Sequence, residues 1–199
     1  MKEEHSLVLT KPDGVELSLT GEVIAHMERD DMHLVGMKAV EVTEKLAAGH
    51  YHEHRNKMFF KDIIKYLTGG YHSFSWVYAF VYCGTGACNT IRKIVGRTNP
   101  LDTDDGKKIV SLRQKYGRNV IVKGEDGKAQ IDDDGHVLVR FENVIHASWS
   151  KMSEYEVKLW FKPSEILTHY RLYPVIENQF GELEWEESAQ EIIKRMKPV

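Results

Sequence analysis

The chain has 199 residues, a length typical of one domain or of one domain with attached segments. Hydrophobic residues make up 42% of the chain and charged residues 29%, a balance that excludes a disordered protein and predicts a packed core. The formal charge of −3 excludes a broadly basic coat for nucleic acid, although it is compatible with a local basic site.

Cysteine usage and hydropathy both favour a cytoplasmic protein. The two cysteines, Cys83 and Cys88, are too few for a disulfide framework and indicate an intracellular protein. The longest apolar stretch, residues 74–83, has about half the length that a membrane-spanning helix needs, so we expect no membrane segment. The opening Met-Lys-Glu-Glu leads into a short apolar run, unlike a secretory signal.

The first half of the chain alternates predicted strands and helices. A strand is predicted where β-branched and aromatic residues cluster, and a helix where apolar residues recur every three or four positions. A turn is predicted at Lys11-Pro12-Asp13-Gly14, and Gly69-Gly70 and Gly96 are expected to end helices. The predicted strands span residues 6–10, 34–42 and 71–83, and the predicted helices begin near residue 20 and span 43–54, 59–67 and 87–95.

The second half contains a predicted β-hairpin between a loop and a final strand. Two β-rich runs, residues 119–122 and 136–139, flank an Asp/Gly-rich stretch whose tip is at 125–127 or at 132–135. The other predicted elements are a loop at 97–108, a strand at 143–148, a helix at 153–161 and a helix near 186–196. The order predicts an α/β (α+β) fold with a ferredoxin-like βαββαβ plan, in which helices pack on a four-stranded antiparallel sheet, plus an inserted β-hairpin.

Two kinds of segment are candidate metal sites. Residues 50–54 read His-Tyr-His-Glu-His, but the glutamate is out of register with the His-Glu-x-x-His pattern and the central histidine points away from the outer two. A polar helix face is the interpretation that this pattern favours. The acidic segments at 102–106 and 132–135 lack the glycine and glutamate spacing of EF-hand loops, so they are interpreted as solvated turns.

His146 is a candidate nucleophile in a phosphate site. It lies in a predicted strand, and a neutral imidazole with a pKa of about 6.5 is a competent nucleophile at neutral pH. The cations and hydroxyls that a phosphate site needs are scattered along the chain, so spacing alone does not gather them around His146. From the pattern alone, a buried structural histidine is the favoured alternative.

Five short segments follow one another in a recognisable order. They are residues 5–15 (His-Ser-Leu-Val-Leu-Thr-Lys-Pro-Asp-Gly-Val), 50–54 followed by Met-Phe-Phe at 58–60, 96–100 (Gly-Arg-Thr-Asn-Pro), 143–148 (Asn-Val-Ile-His-Ala-Ser) and 159–163 (Leu-Trp-Phe-Lys-Pro). In this order they resemble the nucleoside diphosphate kinase family, and the fourth segment matches the strand that carries the family's phosphorylated histidine. The resemblance covers residues 5 to about 170, apart from two interruptions.

The resemblance implies a phosphotransferase that works by a ping-pong mechanism. His146 would take the γ-phosphate of a nucleoside triphosphate such as ATP and pass it to a nucleoside diphosphate. Glu156 would hold the other ring nitrogen of His146, and Ser148 would support Glu156. Phe59 would stack on the base with Ile63 beside it. The residues implied in substrate binding are Lys11 (also expected to be catalytic), Tyr51, Phe59, Ile63, Arg92, Thr98, Arg113 and Asn143.

The same resemblance implies the cofactor, the partners and the domain organisation. Mg²⁺ is the expected cofactor and would be carried on the nucleotide phosphates rather than in a protein cage, so we expect no protein metal ligands. The expected partners are nucleoside di- and triphosphates, with no specific nucleic acid and no membrane, and the chain is expected to form a homo-oligomer, a hexamer or a tetramer. Residues 1–170 would form the kinase-like domain, with a hairpin inserted at about 118–140, and residues 171–199 a C-terminal extension.

Two residues depart from the family pattern close to the expected site. Trp149 occupies a position where the family usually has Asp, and Glu142 occupies one where it usually has Arg, which reverses a charge beside a phosphate site. These departures support an alternative function: a nucleotide-binding regulatory module derived from this family, with weak or no turnover.

Overall fold

The computed structural model describes residues 2–28, 31–102, 110–132 and 134–196. Within these ranges the strands are β1 (Glu3–Thr10), β2 (Met32–Glu41), β3 (Trp76–Thr85), β4 (Arg118–Ile121), β5 (Val139–Glu142), β6 (Ile145–Ala147), β7 (Val175–Glu177) and β8 (Leu183–Trp185). The α-helices are α1 (Pro12–Glu16), α2 (Thr20–Met27), α3 (Glu44–His50), α4 (Phe60–Leu67), α5 (Ala87–Val95), α6 (Leu112–Tyr116), α7 (Ser150–Trp160) and α8 (Ala189–Arg195).

The central sheet has the strand order β2-β3-β1-β6, and every neighbouring pair is antiparallel. This is the predicted ferredoxin-like sheet. Side chains alternate between the two faces of a strand, so Leu7 and Leu9 of β1 enter one core cluster and Val8 enters the other. Helices α3, α4 and α7 cover the first face, and α2 and α5 cover the second. Burial on both faces explains why the sequence of β1 is apolar without alternation.

Several predicted boundaries differ from the observed ones. The predicted turn after β1 is the short helix α1, because Pro12 occupies the first helical position, where its missing N–H costs no hydrogen bond. Strand β3 begins at Trp76 rather than at residue 71, and residues 71–75 form a bend before it. Helix α6 was not predicted, although Ser111 and Gln114 form a capping box at its start. The predicted loop at 97–108 extends into residues 103–109, outside the described ranges.

The inserted hairpin contains both of the turns that were predicted as alternatives. Strands β4 and β5 pair antiparallel, so the second strand lies at 139–142 rather than at 136–139. Beyond these strands the backbone of Gln130 joins the chain on either side of it. Its N–H donates to Val122 O, and its carbonyl oxygen accepts the N–H of Leu138. A turn on each side of Gln130 places a glycine at positive φ, Gly127 at 76° and Gly135 at 82°. Asp132, a residue of the acidic segment at 132–135, accepts backbone N–H groups of this turn.

The tail after residue 170 packs back on the core. Strands β7 and β8, which were not predicted, form a hairpin, and the indole N–H of Trp185 donates to Phe161 O at 2.8 Å. The tail helix α8 buries Ala189 and Ile192 against Met152 and Tyr155 of α7. No helix in the described part of the chain is long and apolar enough to cross a membrane.

We expect Ile192→Ala to lower the free energy of unfolding by about 2–4 kcal/mol, because it leaves a cavity between α8 and α7. Equilibrium unfolding in urea, followed by tryptophan fluorescence, measures the change. Gln190→Ala on the exposed side of α8 is the matched control and should change stability by less than about 0.5 kcal/mol. Equal stability of the two variants would contradict the docking of α8.

Candidate active site

A single cavity of about 390 Å³ gathers residues from both halves of the chain. It opens beside the ends of β1 and β6, whose pairing places Leu9 opposite His146. Ten of the eleven residues expected at the site line this cavity, and Ser148 lies directly behind it in contact with Glu156. The ten lining residues are Lys11, Tyr51, Phe59, Ile63, Arg92, Thr98, Arg113, Asn143, His146 and Glu156.

The imidazole of His146 is oriented by a carboxylate. Its Nε2 lies 2.9 Å from Oε2 of Glu156, which comes from α7. A carboxylate only accepts, so this contact places the proton of the neutral ring on Nε2 and leaves the lone pair on Nδ1. Burial, together with the nearby cations Lys11, Arg113 and Arg92, lowers the pKa of His146 well below 6.5. The ring is therefore neutral at neutral pH.

Glu156 is itself held from behind. The Ser148 hydroxyl donates to its Oε2 and also accepts the N–H of Leu7 at 3.1 Å, which ties the pair to β1. Burial raises the pKa of Glu156, while the Ser148 hydrogen bond acts in the opposite direction. The chain His146–Glu156–Ser148 thus has the arrangement that the sequence predicted.

His50 lies against the other side of His146. The two rings are 4.4 Å apart and nearly perpendicular, and the indole N–H of Trp160 donates to Nδ1 of His50 at 3.2 Å. Burial lowers the pKa of His50 to about 3, so it remains neutral. His50 therefore packs in the site, whereas His52 lies on Tyr155. Among the described residues, His50, His52 and His54 do not form a group of possible metal ligands with one another.

The backbone just before His146 is bent and tightly supported. Val144 has a φ of 56°, unusual for a β-branched residue, and its N–H donates to the Asp13 carboxylate at 2.9 Å. A Cβ on Gly14 would lie 2.5 Å from Val144 O, so only glycine permits this approach. Sequence reasoning did not assign Asp13 to the site. The Lys-Pro-Asp-Gly motif could have pointed to Asp13, because it places an acidic residue directly after the first strand, where the structure buries it.

Three cations surround the face of the cavity near His146. Arg113 is buried and donates to Ile145 O from Nε at 3.1 Å and from Nη2 at 2.8 Å. Burial, with the charge of Arg92, lowers its pKa to about 10. Burial and the charge of Arg113 lower the pKa of Lys11 to about 7. Among the described residues, no recorded ion pair joins a carboxylate to Lys11, Arg92 or Arg113, which makes this end of the cavity attractive to phosphate.

Polar side chains complete the same end. Lys11 Nζ donates to the side-chain oxygen of Asn143 at 2.7 Å, and Asn143 Nδ2 donates to Thr98 O at 2.7 Å. The backbone N–H of Asn143 donates to the hydroxyl of Tyr66, a buried residue that sequence reasoning missed. Among the described residues the Tyr51 hydroxyl has no hydrogen-bond partner although it is buried. It is therefore available to a ligand in the cavity.

The opposite, aromatic end of the cavity combines two apolar side chains with the ion pair of Asp62 and Arg140. Phe59 and Ile63 lie four residues apart at the start of α4, on one side of a helical turn, and both line the cavity. The Phe59 ring is half-buried and packs 5.4 Å from His54. The cavity thus has a cationic end and an aromatic end, the arrangement that a nucleotide requires.

The reversed charge at Glu142 is compensated locally. Arg118 and Arg140 of the inserted hairpin donate to its carboxylate at 2.8 Å and 2.9 Å, and His72 lies 3.7 Å away. Burial opposes ionisation, but these arginine hydrogen bonds lower the pKa of Glu142 below its usual value. Glu142 does not line the cavity. Its negative charge is therefore not directed at a bound phosphate.

Trp149 lines the cavity and holds one of the cations. The guanidinium carbon of Arg92 lies 3.2 Å from the centre of the indole ring, which is 57% exposed. Arg92 also donates to Ala147 O at 3.3 Å. The stacked ring gives Arg92 a cation–π partner where the family pattern would offer a carboxylate.

Comparisons with known proteins agree with this geometry. The nucleoside diphosphate kinase family profile matches residues 4–166. A nucleoside diphosphate kinase of Listeria welshimeri is 35% identical over 167 residues, covering 83% of this chain and 94% of that protein. The cytosolic nucleoside diphosphate kinase of Dictyostelium discoideum is 34% identical over 175 residues, covering 87% of this chain and 94% of that protein.

Solved structures give the same relationship. The nucleoside diphosphate kinase of Halobacterium salinarum in complex with CDP superposes with a TM-score of 0.62 at 28% identity, covering 83% of this chain and 92% of that one. The Borrelia burgdorferi enzyme was solved as a transition-state mimic with bound vanadate and ADP. It superposes with a TM-score of 0.61 at 28% identity, covering 83% of this chain and 90% of that one.

An antiparallel βαββαβ sheet with a carboxylate-held histidine facing a ring of cations defines a nucleotide-dependent phosphotransferase. The chain belongs to the nucleoside diphosphate kinase family. Its function is the kinase activity of that family, transfer of a phosphate between nucleotides.

We expect Trp149→Ala to raise the KM for nucleotide several-fold, because loss of the stacked ring removes about 1 kcal/mol that orients Arg92. Steady-state kinetics with ATP and GDP measure the change. Trp149→Phe retains a ring and should stay close to the unsubstituted enzyme. An unchanged KM in Trp149→Ala would contradict a positioning role for the indole.

Proposed function

We propose that His146 Nδ1 is the atom that accepts and returns the phosphoryl group. Nε2 is held by Glu156, so the lone pair of the neutral ring is on Nδ1, and this is the observation that carries the proposal. In the first half-reaction the Nδ1–phosphorus bond forms as the bond from phosphorus to the bridging oxygen breaks. The electron pair of that bond leaves with the nucleoside diphosphate.

The surrounding residues have separate roles in this proposal. Lys11, Arg92 and Arg113 would bind the phosphates and neutralise the charge of the transferring group, because they line the cavity with His146. Tyr51, Thr98 and Asn143 would donate to the phosphates and the sugar. Phe59 would stack on the base and Ile63 would pack beside it, a contact that tolerates any base because each has a π-face.

Glu156 and Ser148 would act on His146 rather than on the substrate. Transfer of a phosphoryl group to Nδ1 places positive charge on the imidazole, and the carboxylate at Nε2 stabilises that charge. Ser148 holds the carboxylate in place through its hydroxyl. A second nucleoside diphosphate then enters the same site, since product and donor are chemically alike, and removes the phosphoryl group by the reverse step.

We propose Mg²⁺ as the cofactor, carried on the nucleotide phosphates. Mg²⁺ prefers oxygen ligands in an octahedron and retains water, whereas the metal-compatible group among the described residues of this cavity is His50, His146 and Glu156, with two nitrogens. An ion held by phosphate oxygens and water would need no protein ligand here, and Lys11 and Arg113 would bind the same phosphates. When bound, Mg²⁺ supplies charge neutralisation on the phosphates.

The regulatory-module alternative depended on Glu142 and Trp149. The charge of Glu142 is balanced by Arg118 and Arg140, and Trp149 stacks on Arg92 without covering His146 by any recorded contact. Neither residue removes a group that the transfer needs, so we favour turnover over a purely regulatory role.

We further propose the domain organisation, assembly and location predicted from the sequence. The kinase-like domain would comprise residues 1–170 with the inserted hairpin, and residues 171–199 would be an extension, which the profile match ending at residue 166 supports. The resemblance supports a hexamer or tetramer. The cysteine usage and the cytosolic relative support a cytoplasmic location.

Incubation with γ-labelled ATP should give an acid-labile, alkali-stable phosphoprotein, and added GDP should remove the label as GTP. His146→Ala should abolish labelling, since it removes the accepting nitrogen. His26→Ala, at an exposed histidine of α2, is the control and should label normally. Labelling that survives in His146→Ala would refute the proposal, and label that GDP cannot remove would favour the regulatory module.

The pH profile of kcat/KM should fall at both ends for different reasons. Because the pKa of His146 lies well below 6.5, the acid limb should have its midpoint below pH 6.5, where the ring becomes protonated and loses its lone pair. Lys11 has a pKa lowered to about 7, so the alkaline limb should begin near neutrality as its ammonium group is lost. Bound phosphate stabilises that ammonium, so kcat should persist to higher pH.

Lys11→Arg is the matched variant for the alkaline limb. Its guanidinium stays charged throughout the range, so the profile should lose that limb even if activity is lower overall. An acid midpoint at or above pH 6.5, or an alkaline limb that persists in Lys11→Arg, would contradict these assignments.

A further inference from the structure

The inserted hairpin contributes a wall to the aromatic end of the cavity. Val139, Arg140 and Phe141 of β5 all line it. Nη1 of Arg140 lies 3.0 Å from Oδ1 of Asp62, and Asp62 lies on α4 between Phe59 and Ile63. Arg140 is therefore placed where the base of a nucleotide is proposed to lie, at the end opposite the phosphate cations.

Arg140 is held rigidly in this position. Its guanidinium carbon lies 3.6 Å from the centre of the Tyr71 ring, and the Tyr71 hydroxyl donates to the same Asp62 oxygen at 2.7 Å. From the other side Nε and Nη2 donate to Oε1 of Glu142 at 3.3 Å and 2.9 Å. The side chain is 9% exposed. A group that is already ordered loses little conformational entropy when it binds a ligand.

The guanidinium retains unused donors. Arginine has five N–H groups, and the recorded partners of Arg140 among the described residues account for three of them: one on Nε, one on Nη1 and one on Nη2. One N–H on each terminal nitrogen is left. Donors on two neighbouring nitrogens can serve a pair of neighbouring acceptors, and they disfavour a neighbouring donor.

Purine bases differ in what they present to such a pair. Guanine offers O6 and N7, which both accept, whereas adenine has an amino group in place of O6. Stacking on Phe59 does not distinguish the two, so any discrimination must come from a hydrogen-bonding group. Arg140 is a cation of the cavity that lies beside α4 rather than beside His146.

We propose that Arg140 selects the base, so that 6-oxopurine nucleotides (guanine and hypoxanthine) are preferred over adenine nucleotides as phosphoryl acceptors. The proposal rests on the proposed function, because it assigns the base of the nucleotide to the Phe59 end of the cavity. The inserted hairpin thereby gives this chain a specificity determinant in addition to stacking.

The test uses phosphoenzyme prepared beforehand with γ-labelled ATP and freed of nucleotide. The second-order rate of label removal is then measured with GDP, IDP and ADP. IDP has the 6-oxo group of GDP but lacks its 2-amino group, so it isolates the contribution of O6. We expect GDP and IDP to react about tenfold faster than ADP, within the usual discrimination of a paired arginine contact.

Arg140→Met and Arg140→Lys should both bring the three rates together. The lysine variant retains the charge that Asp62 and Glu142 require but lacks the paired donors, so it remains informative if the methionine variant folds poorly. A ratio of rates measured within one preparation is independent of the folded fraction. Arg118→Met is the matched control, since Arg118 also pairs with Glu142 but does not line the cavity, and its ratio should equal that of the unsubstituted enzyme.

Each outcome is decisive. Equal rates for GDP and ADP, or a faster rate for ADP, would overturn the proposal. A GDP preference that survives in both Arg140 variants, or one that IDP does not share, would assign selection to another group and would also overturn it. Failure to form any phosphoenzyme would instead refute the proposed function of His146.

Discussion

The site depends on keeping His146 uncharged among groups that favour a negatively charged ligand. An imidazolium beside Lys11, Arg92 and Arg113 would be repelled by all three, and burial adds to that cost. The neutral ring is then fixed in one tautomer by Glu156. The same cations that attract phosphate therefore also preserve the lone pair that is proposed to attack it.

The sheet provides the precision that this balance requires. Strand β1 pairs with β6 so that Leu9 faces His146, and at its end Lys11 N–H donates to Val144 O at 2.9 Å. Ser148, just after β6, bonds to β1 and to Glu156. One short pair of central strands thus positions a cation, the histidine and the support of the carboxylate. Strand β1 is buried on both faces, so close packing on each side supports these positions.

The sequence was sufficient for the parts of the site that occur in contiguous motifs. His146, Asn143 and Ser148 share one segment, and Lys11 follows the first strand. In the structure His146, Asn143 and Lys11 line one cavity, and Ser148 contacts Glu156 behind it. Their roles are still proposals. Asp13 and His50 were missed as members of the site, because a turn acid and a helix histidine show their packing only when α1, α3 and β6 are assembled.

The meaning of Glu142 shows why a pattern alone was insufficient. In the sequence Glu142 is an acidic residue where the family usually has arginine, and it precedes Asn143, which is proposed to bind the nucleotide. In the structure the β4–β5 register places Arg118 opposite it, and Arg140, two positions earlier on the same strand, reaches the same carboxylate. A charge reversal at one position is thus answered by two arginines in an inserted segment. Only the pairing of β4 with β5 reveals this compensation, and the second run predicted from the sequence, at 136–139, ends where β5 begins.

The two ends of the cavity are built from different parts of the chain. The phosphate end is built from β1, β6, α5 and α6, inside the core, where a change would disturb His146. The aromatic end is built from α4 and from the inserted hairpin, whose outer turns contact no group of the phosphate end by any recorded bond among the described residues. Substitutions in the hairpin can therefore alter the contact with the base while the cations and the carboxylate around His146 stay in place. Under the proposal for Arg140, a substitution in the hairpin would change which base is preferred, while the proposed transfer step at His146 would stay the same.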